Sequence, residues 1–366
     1  MKLKPITILN GYEYFAEITE KIAATKAGDR VGLMSMAFDP TEKRTAPMFH
    51  ELLKAAKRGV QVQFNIDAYS FMVDDAKTLP TGPIFKYKNI SSSRRADYKA
   101  KYEFLTKLEA SGGKYCIMNM PKRRIVNPYA GRSHIKICLI NDEYYIGGSN
   151  LSKSWQMDLT ARVADNKSAD IVFDFLLRVS RAKSVRRALS DKDKSIKIDD
   201  TTTLIIDSGV KNQSMIFTQA LAFIDNAKKR ILLTCQFFPA SSTAQHLTQA
   251  LHRKVDVKVY YGPSSINLNF AVGIKHYSVE LGSKLKYPKD LFKHPMPTDK
   301  PKLHAKLIAT EQGIMIGSHN YATQGVSFGT AESSLLIRRP AIEKEALDKL
   351  ESTLKNAELE DGDPNY

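Results

Sequence analysis

The chain has 366 residues, enough to bury a large core, and its 43% apolar and 26% charged content is that of an ordinary water-soluble fold. Fifty-five Lys and Arg against 39 Asp and Glu give a formal net charge of +16, which favours a polyanionic partner, nucleic acid or an anionic membrane surface, without choosing between them. No run approaches the ~18 apolar residues of a membrane-spanning helix. The first residues lack a signal peptide's apolar stretch, and three cysteines without a CxxC pair argue against disulfides or a cysteine zinc site, so a cytoplasmic setting is expected.

Along the chain, GYEYFAEITEKIAATKAG (11–28) has helical apolar spacing and DRVGLMSMAF (29–38) reads as a strand. APMFHELLKAAKRG (46–59) predicts a helix stopped by glycine, and VQVQFNIDAYS a second strand. A basic, insertion-like segment over 86–132 follows, holding RRADYKAKYEFLTK and PKRR. The charged stretch 183–200 reads as a crossover between halves. The pattern then restarts, with SMIFTQALAFIDNAKK a helix, RILLTCQFF a strand, TAQHLTQALHRK a helix and VDVKVYYG a strand. Alternating helices and strands predict two α/β halves, 1–182 and 201–340, with a C-terminal helix and acidic tail over 341–366.

Each half closes on the same motif. SHIKICLIND and KLHAKLIATE each open an apolar run with His-x-Lys, and YYIGGSN and IMIGSHN follow. A shift of 170 positions superposes His134 on His304, Lys136 on Lys306, Gly147 on Gly317 and Asn150 on Asn320. One His-x-Lys triplet carries little information, but two in register with the same Gly and Asn downstream point to duplication.

Alternation along a strand sets His134 and Lys136 on one face. A hairpin turning at Asn141 to Glu143 would place Lys136 opposite Gly148 and His134 opposite Asn150, and the second copy gathers His304, Lys306, Ser318 and Asn320 likewise. Lysine and asparagine suit a phosphate oxyanion, and histidine serves as nucleophile or general acid/base. Two such clusters face to face could carry out two-step displacement on a phosphodiester. No metal or cofactor is called for, since the lysines supply positive charge and would repel a zinc ion bound at the histidines. Arg132 could reach a phosphate or be solvated. His50, His246, His252, His276 and Trp155 read as structural, and His319 is expected to face away from the cluster.

The doubled motif resembles the His-x-Lys-(x)4-Asp signature of the phospholipase D superfamily, with its following Gly-Ser-x-Asn. The likeness extends to KRGVQVQFNID, AKKRILLTCQFFP, GGSNLSKSWQMD and GTAESSLLI, the third close to a segment of bacterial cardiolipin synthases. The resemblance implies a duplicated α/β fold, two mixed or largely parallel sheets flanked by helices, with the active site between the halves. It also implies that Asp158 orients His134 and Glu332 orients His304, and that the N-terminal motif supplies the nucleophile. The sequence departs from the signature at Asn141 and Glu311, in place of the acid, and at Gly148, in place of the serine that is Ser318 in the second copy.

Phosphatidyl transfer or hydrolysis on anionic phospholipids is the expected function, with peripheral docking through Arg94, Arg95 and Lys122 to Arg124. A nuclease of the same superfamily and a non-catalytic polyanion binder are the alternatives. Intact His, Lys and Asn in both copies weigh against the binder, and one chain suffices to build the site.

Overall fold

The computed structural model describes residues 5–71, 92–120, 130–152, 157–262, 270–296 and 303–359. Trp155, the 121–124 basic cluster, the side chains of Arg94, Arg95 and His276, and the acidic tail lie outside them.

The first sheet is built from β1 (Ile6–Asn10), β2 (Arg30–Ser35), β3 (Gln61–Asp67), β4 (Lys114–Met118), β5 (Ile137–Ile140), β6 (Glu143–Gly147) and β7 (Leu159–Ala164). The second is built from β8 (Lys194–Lys197), β9 (Thr202–Ile206), β10 (Arg230–Cys235), β11 (Asp256–Tyr261), β12 (His294–Pro295), β13 (Leu307–Thr310), β14 (Gly313–Gly317) and β15 (Ser333–Ile337). The strand orders are β1-β7-β6-β5-β2-β3-β4 and β12-β11-β10-β13-β14-β15-β9-β8. Of the two sheet types expected, the mixed one is found. Among the named strands, parallel pairing is confined to β2-β3-β4 and to β10-β11-β12, the others pairing antiparallel, while isolated parallel bridges join Ser133 to Ala331 and Met157 to Leu303. The reason lies in the motifs, whose short connections can join only antiparallel strands. The crossover stretch 183–200 contributes β8, an edge strand of the second sheet.

The helices are α1 (Gly11–Ala23), α2 (Ala46–Lys57), α3 (Ser92–Ala110), α4 (Asn166–Ala182), α5 (Val185–Ala188), α6 (Met215–Asn226), α7 (Ser242–His252), α8 (Phe270–Lys286), α9 (Thr323–Phe328) and α10 (Pro340–Leu359). Asn10 and Glu13 form a reciprocal capping box that starts α1. The helix stops at Ala23, short of the expected Gly28, and the Arg58 guanidinium donates to the carbonyls of Ile22 and Ala23.

Side chains of both sheets enter one core, which joins Ile8, Tyr144 and Ile146 to Leu307, Ile316, Leu335 and Ile337 and takes in α4 and α10. The other face of the first sheet is covered by α1 and α2, and that of the second by α6 and α7. Helix α10 belongs to both halves. Glu345 accepts the backbone N–H of Ile8 at 2.7 Å, Lys349 pairs with Glu13, and Ile342, Ala346 and Leu350 enter the shared core.

Candidate active site

Each motif hairpin is tighter than the sequence suggests. Ile140 pairs with Glu143 and Thr310 with Gly313, so each connection has two residues rather than three. Asn141 adopts φ 53, a left-handed conformation that Asn tolerates better than most residues. The register therefore shifts by one from the expected opposition of Lys136 with Gly148 and His134 with Asn150. Asn141 Oδ1 accepts the N–H of Arg30 at 3.1 Å, and the Glu311 carboxylate accepts the N–H of Lys228 at 2.6 Å. At the acid position of the signature both residues thus tie the hairpin tip to the start of the neighbouring strand.

A second correction concerns the histidines themselves. They precede β5 and β13 rather than lying within them, because the backbone there pairs with the other half. His134 N–H donates to Ala331 C=O at 2.8 Å, and Ala331 N–H donates to Arg132 C=O at 2.8 Å. The N–H groups of His304 and Ala305 both donate to Met157 C=O, at 2.8 and 2.9 Å. Each motif is thereby docked beside the residue preceding the acid of the opposite half. Lys136 and Lys306 extend their ammonium groups to the carbonyls of His134 and His304, closing each His-x-Lys turn on itself.

This exchange overturns the pairing of acids with histidines. Asp158 does not orient His134, and Glu332 does not orient His304. Nδ1 of His134 lies 3.1 and 3.2 Å from the two carboxylate oxygens of Glu332 and 3.0 Å from Ser318 C=O. Nδ1 of His304 lies 2.6 Å from Asp158 Oδ2. Every partner of each Nδ1 is an acceptor, so each neutral ring carries its proton on Nδ1 and keeps the Nε2 lone pair.

The cluster is buried. Burial lowers the pKa of His134, reinforced by Lys136 and opposed by Glu332. Burial and Lys306 push His304 down against the pull of Asp158. Burial alone would raise Asp158 and Glu332, yet the histidine that each faces holds its carboxyl below the usual range. Lys136 is lowered to about 7 and Lys306 to about 8, chiefly by burial, with both carboxylates opposing. Each lysine from one motif depresses the histidine of the other, which places the two cation sets within electrostatic reach.

Ser318 belongs to the His134 side of the cluster. Its hydroxyl donates to Glu332 and accepts the N–H of Ser333 at 3.0 Å. At the equivalent Gly148 a Cβ would collide with Asp158 Oδ1, so the first motif has room for the shorter acid only because no side chain is present. Asn150 and Asn320 each bury an Oδ1 without a hydrogen-bond partner, at matching positions in the two halves. His319 packs its ring near Phe217 and Tyr321, with Nδ1 accepting Tyr321 N–H at 2.8 Å.

Sequence reasoning missed Asp67. This fully buried carboxylate, at the end of β3, accepts the N–H of Ser133 at 2.7 Å and the Asn119 amide at 2.7 Å. Arg132 is neither solvated nor aimed at a phosphate. It is buried, and its Nη1 lies 3.4 Å from Asp67 Oδ1 and donates to Asn119 C=O at 3.0 Å. The only signal was a carboxylate closing an apolar strand, too common a pattern to single out. Thr234 of β10 does related work in the second half, donating to Ala305 C=O at 3.0 Å and accepting Leu307 N–H at 3.1 Å.

Residues 220–354 match the family model described as cardiolipin synthase, PLD-like domain. Among solved structures, the phosphatidylserine synthase of Haemophilus influenzae Rd KW20 is similar with a TM-score of 0.65 at 13% identity, over 97% of this chain and 86% of that one. The polyphosphate kinase of Porphyromonas gingivalis is similar with a TM-score of 0.54 at 12% identity, over 96% of this chain and 50% of that one. No curated protein sequence matches the chain.

Proposed function

We propose that this chain, a member of the phospholipase D superfamily, moves a phosphatidyl group on anionic phospholipids to an alcohol or to water through a phosphohistidine at His134. The observation that carries the reading is the pair of crossed His–carboxylate contacts, His134 to Glu332 and His304 to Asp158, with a lysine beside each histidine. Two imidazoles with Nδ1 held by acceptors keep Nε2 available, one to attack phosphorus and the other to carry a proton. Nε2 of His134 attacks phosphorus, and the bond from phosphorus to the leaving oxygen breaks. His304, protonated on Nε2, gives that proton to the departing alcohol. In the second step His304 takes a proton from the incoming alcohol or water, whose oxygen attacks phosphorus and releases His134.

Lys136 and Lys306 neutralise the phosphate oxygens as charge builds. Burial first and the two lysines after it depress His304, which the first step needs protonated, and the bound anion offsets the lysines' share. Asn150 and Asn320 contribute amide groups on either side. Ser318 acts as a positioning residue, its hydroxyl committed to Glu332. Asp67 fixes the backbone just before His134. Both histidines and both acids come from one chain, so a monomer is sufficient.

The lipid reading over the nuclease rests on the matched family description, cardiolipin synthase. Purified protein is assayed with EDTA present against phosphatidylglycerol and against single-stranded and duplex DNA. Lipid turnover without DNA cleavage is expected, with a phosphatidyl adduct on His134 in acid-free quenched mass spectra. DNA cleavage without lipid turnover would replace the lipid substrate by nucleic acid. Full, reversible loss of turnover on chelation would contradict metal-independent chemistry.

A further inference from the structure

From Tyr277 onward helix α8 is built inside out. Its buried side carries Glu280 and Ser283, while Tyr277, Leu281 and Leu285 face solvent at 47%, 48% and 84% exposure. The spacing of four residues stacks these three into one ridge. They make up three of the five large apolar side chains exposed among the described residues. Helix α10 shows the ordinary arrangement in the same fold, with Ile342, Ala346 and Leu350 at the same spacing turned into the core.

Cations flank the ridge. Lys284 and Lys286 stand beside Leu285 on the helix, and Lys289 and Lys293 follow immediately. Glu280 and Asp290 answer Lys284 and Lys293, at 2.7 and 2.5 Å, and the whole chain still carries +16. The end of α8 is tied to the motif end of the second half. Tyr287 Oη, two residues past Leu285, donates to Ser241 C=O at 3.2 Å, just beyond the end of β10, whose Thr234 opposes Leu307 next to Lys306.

We propose that the outer face of α8 is a docking surface for an anionic lipid bilayer, with the apolar ridge entering the headgroup–acyl boundary and the lysines meeting lipid phosphates. An exposed apolar stripe with basic flanks is the arrangement that binds such an interface, where burial of apolar area and attraction to anionic lipid act together. A second copy of the chain fits less well, since three side chains offer well under the roughly 800 Å² per partner of a stable interface. The inference rests on the phosphatidyl-transfer reading and gives it a surface independent of the basic insertion. In that insertion Lys101 is turned inward to Asp97 and to Ser70 C=O rather than towards solvent.

The test is sedimentation of the full chain with vesicles of phosphatidylcholine alone or mixed equally with phosphatidylglycerol. The comparison is between wild type and the triple variant Tyr277→Ser, Leu281→Ser, Leu285→Ser. Wild type should bind the anionic vesicles in preference, and the variant at least about tenfold more weakly. A second variant, Lys286→Glu with Lys289→Glu, should lose the preference for anionic over neutral vesicles. Phosphatidylglycerol dispersed in detergent reports the reaction without docking, and its turnover should be unchanged in both variants. Equal vesicle binding by wild type and the ridge variant would overturn the inference, as would no binding by wild type. So would a dimer that the ridge variant dissolves while vesicle binding persists. Failure to turn over detergent-dispersed lipid would sink the phosphatidyl-transfer reading instead and is read separately from sedimentation.

Discussion

Because each motif histidine is held by the acid of the opposite half, its tuning depends on residues far away in sequence. Glu332→Gln should act on His134 and slow phosphohistidine formation by roughly 10²–10⁴, even with a substrate whose leaving group needs no acid. Asp158→Asn should leave that first step nearly intact for such a substrate and slow hydrolysis of the adduct, which rapid-quench mass spectrometry would see accumulate. The opposite assignment of effects would restore the within-half pairing. The lysines make a pH prediction. At about 7 and about 8, Lys136 and Lys306 lose their protons well below the ordinary 10.5. Above those values the folded chain holds fewer protons than the unfolded one, so these two groups make stability rise with pH up to about 10.5. Oxyanion binding runs the other way, because it needs the cations. Tungstate should bind best below pH 7, weaken through pH 7 to 8, and take up protons when it binds at pH 8. Calorimetry in buffers of different ionisation enthalpy measures that uptake, and Lys136→Met should reduce it.

At the scale of the element, the two hairpins share a backbone and differ, beside the acid that each faces, in whether a side chain is present. Gly147 and Gly317 are required alike, since a Cβ at either would strike the adjoining strand, at Thr160 Oγ1 and at Ser333 C=O respectively. Gly148 and Ser318 are where the copies part. Ser318 reaches the longer Glu332, whereas Gly148 leaves its space to Asp158. Gly148→Ser would give the first copy the signature serine and is nonetheless expected to impair it. The new Cβ would displace the Asp158 carboxylate from His304, lowering turnover at least about tenfold with little change in substrate affinity. Steady-state kinetics on the soluble variant check this, and wild-type turnover would show that Asp158 can move aside.

At the scale of the whole molecule, helix α10 and the shared core make the halves one structure. The last helix is held to the first strand by Glu345 and Ile8, while Leu350 is 2% exposed in the core common to both sheets. Leu350→Ala should cost about 2–5 kcal/mol. The loss should appear in one unfolding transition that lowers both halves together, followed in urea by circular dichroism and by histidine chemical shifts. Two transitions, with only the second half weakened, would mean that the halves fold independently.

The chain's own sequence determined the duplication, the alternating elements and the motif residues, because repeats in register and apolar periodicity are local properties. The helix and strand of 11–38 and their counterparts at 214–238 were legible for that reason, as was the turn position of Asn141 and Glu311. The pairing of acids with histidines was not. The resemblance assigned each acid to the histidine of its own half, and nothing in the spacing along the chain tells which half's histidine Asp158 or Glu332 faces. Nor could sequence separate Asp67 from any carboxylate that ends a strand, or show that Leu281 and Leu285 face outward while Leu350 faces in, since helical spacing is the same in both. Only the tertiary structure decided these, because the motif backbones leave their own sheets to pair across the halves, and a helix's environment depends on what packs against it.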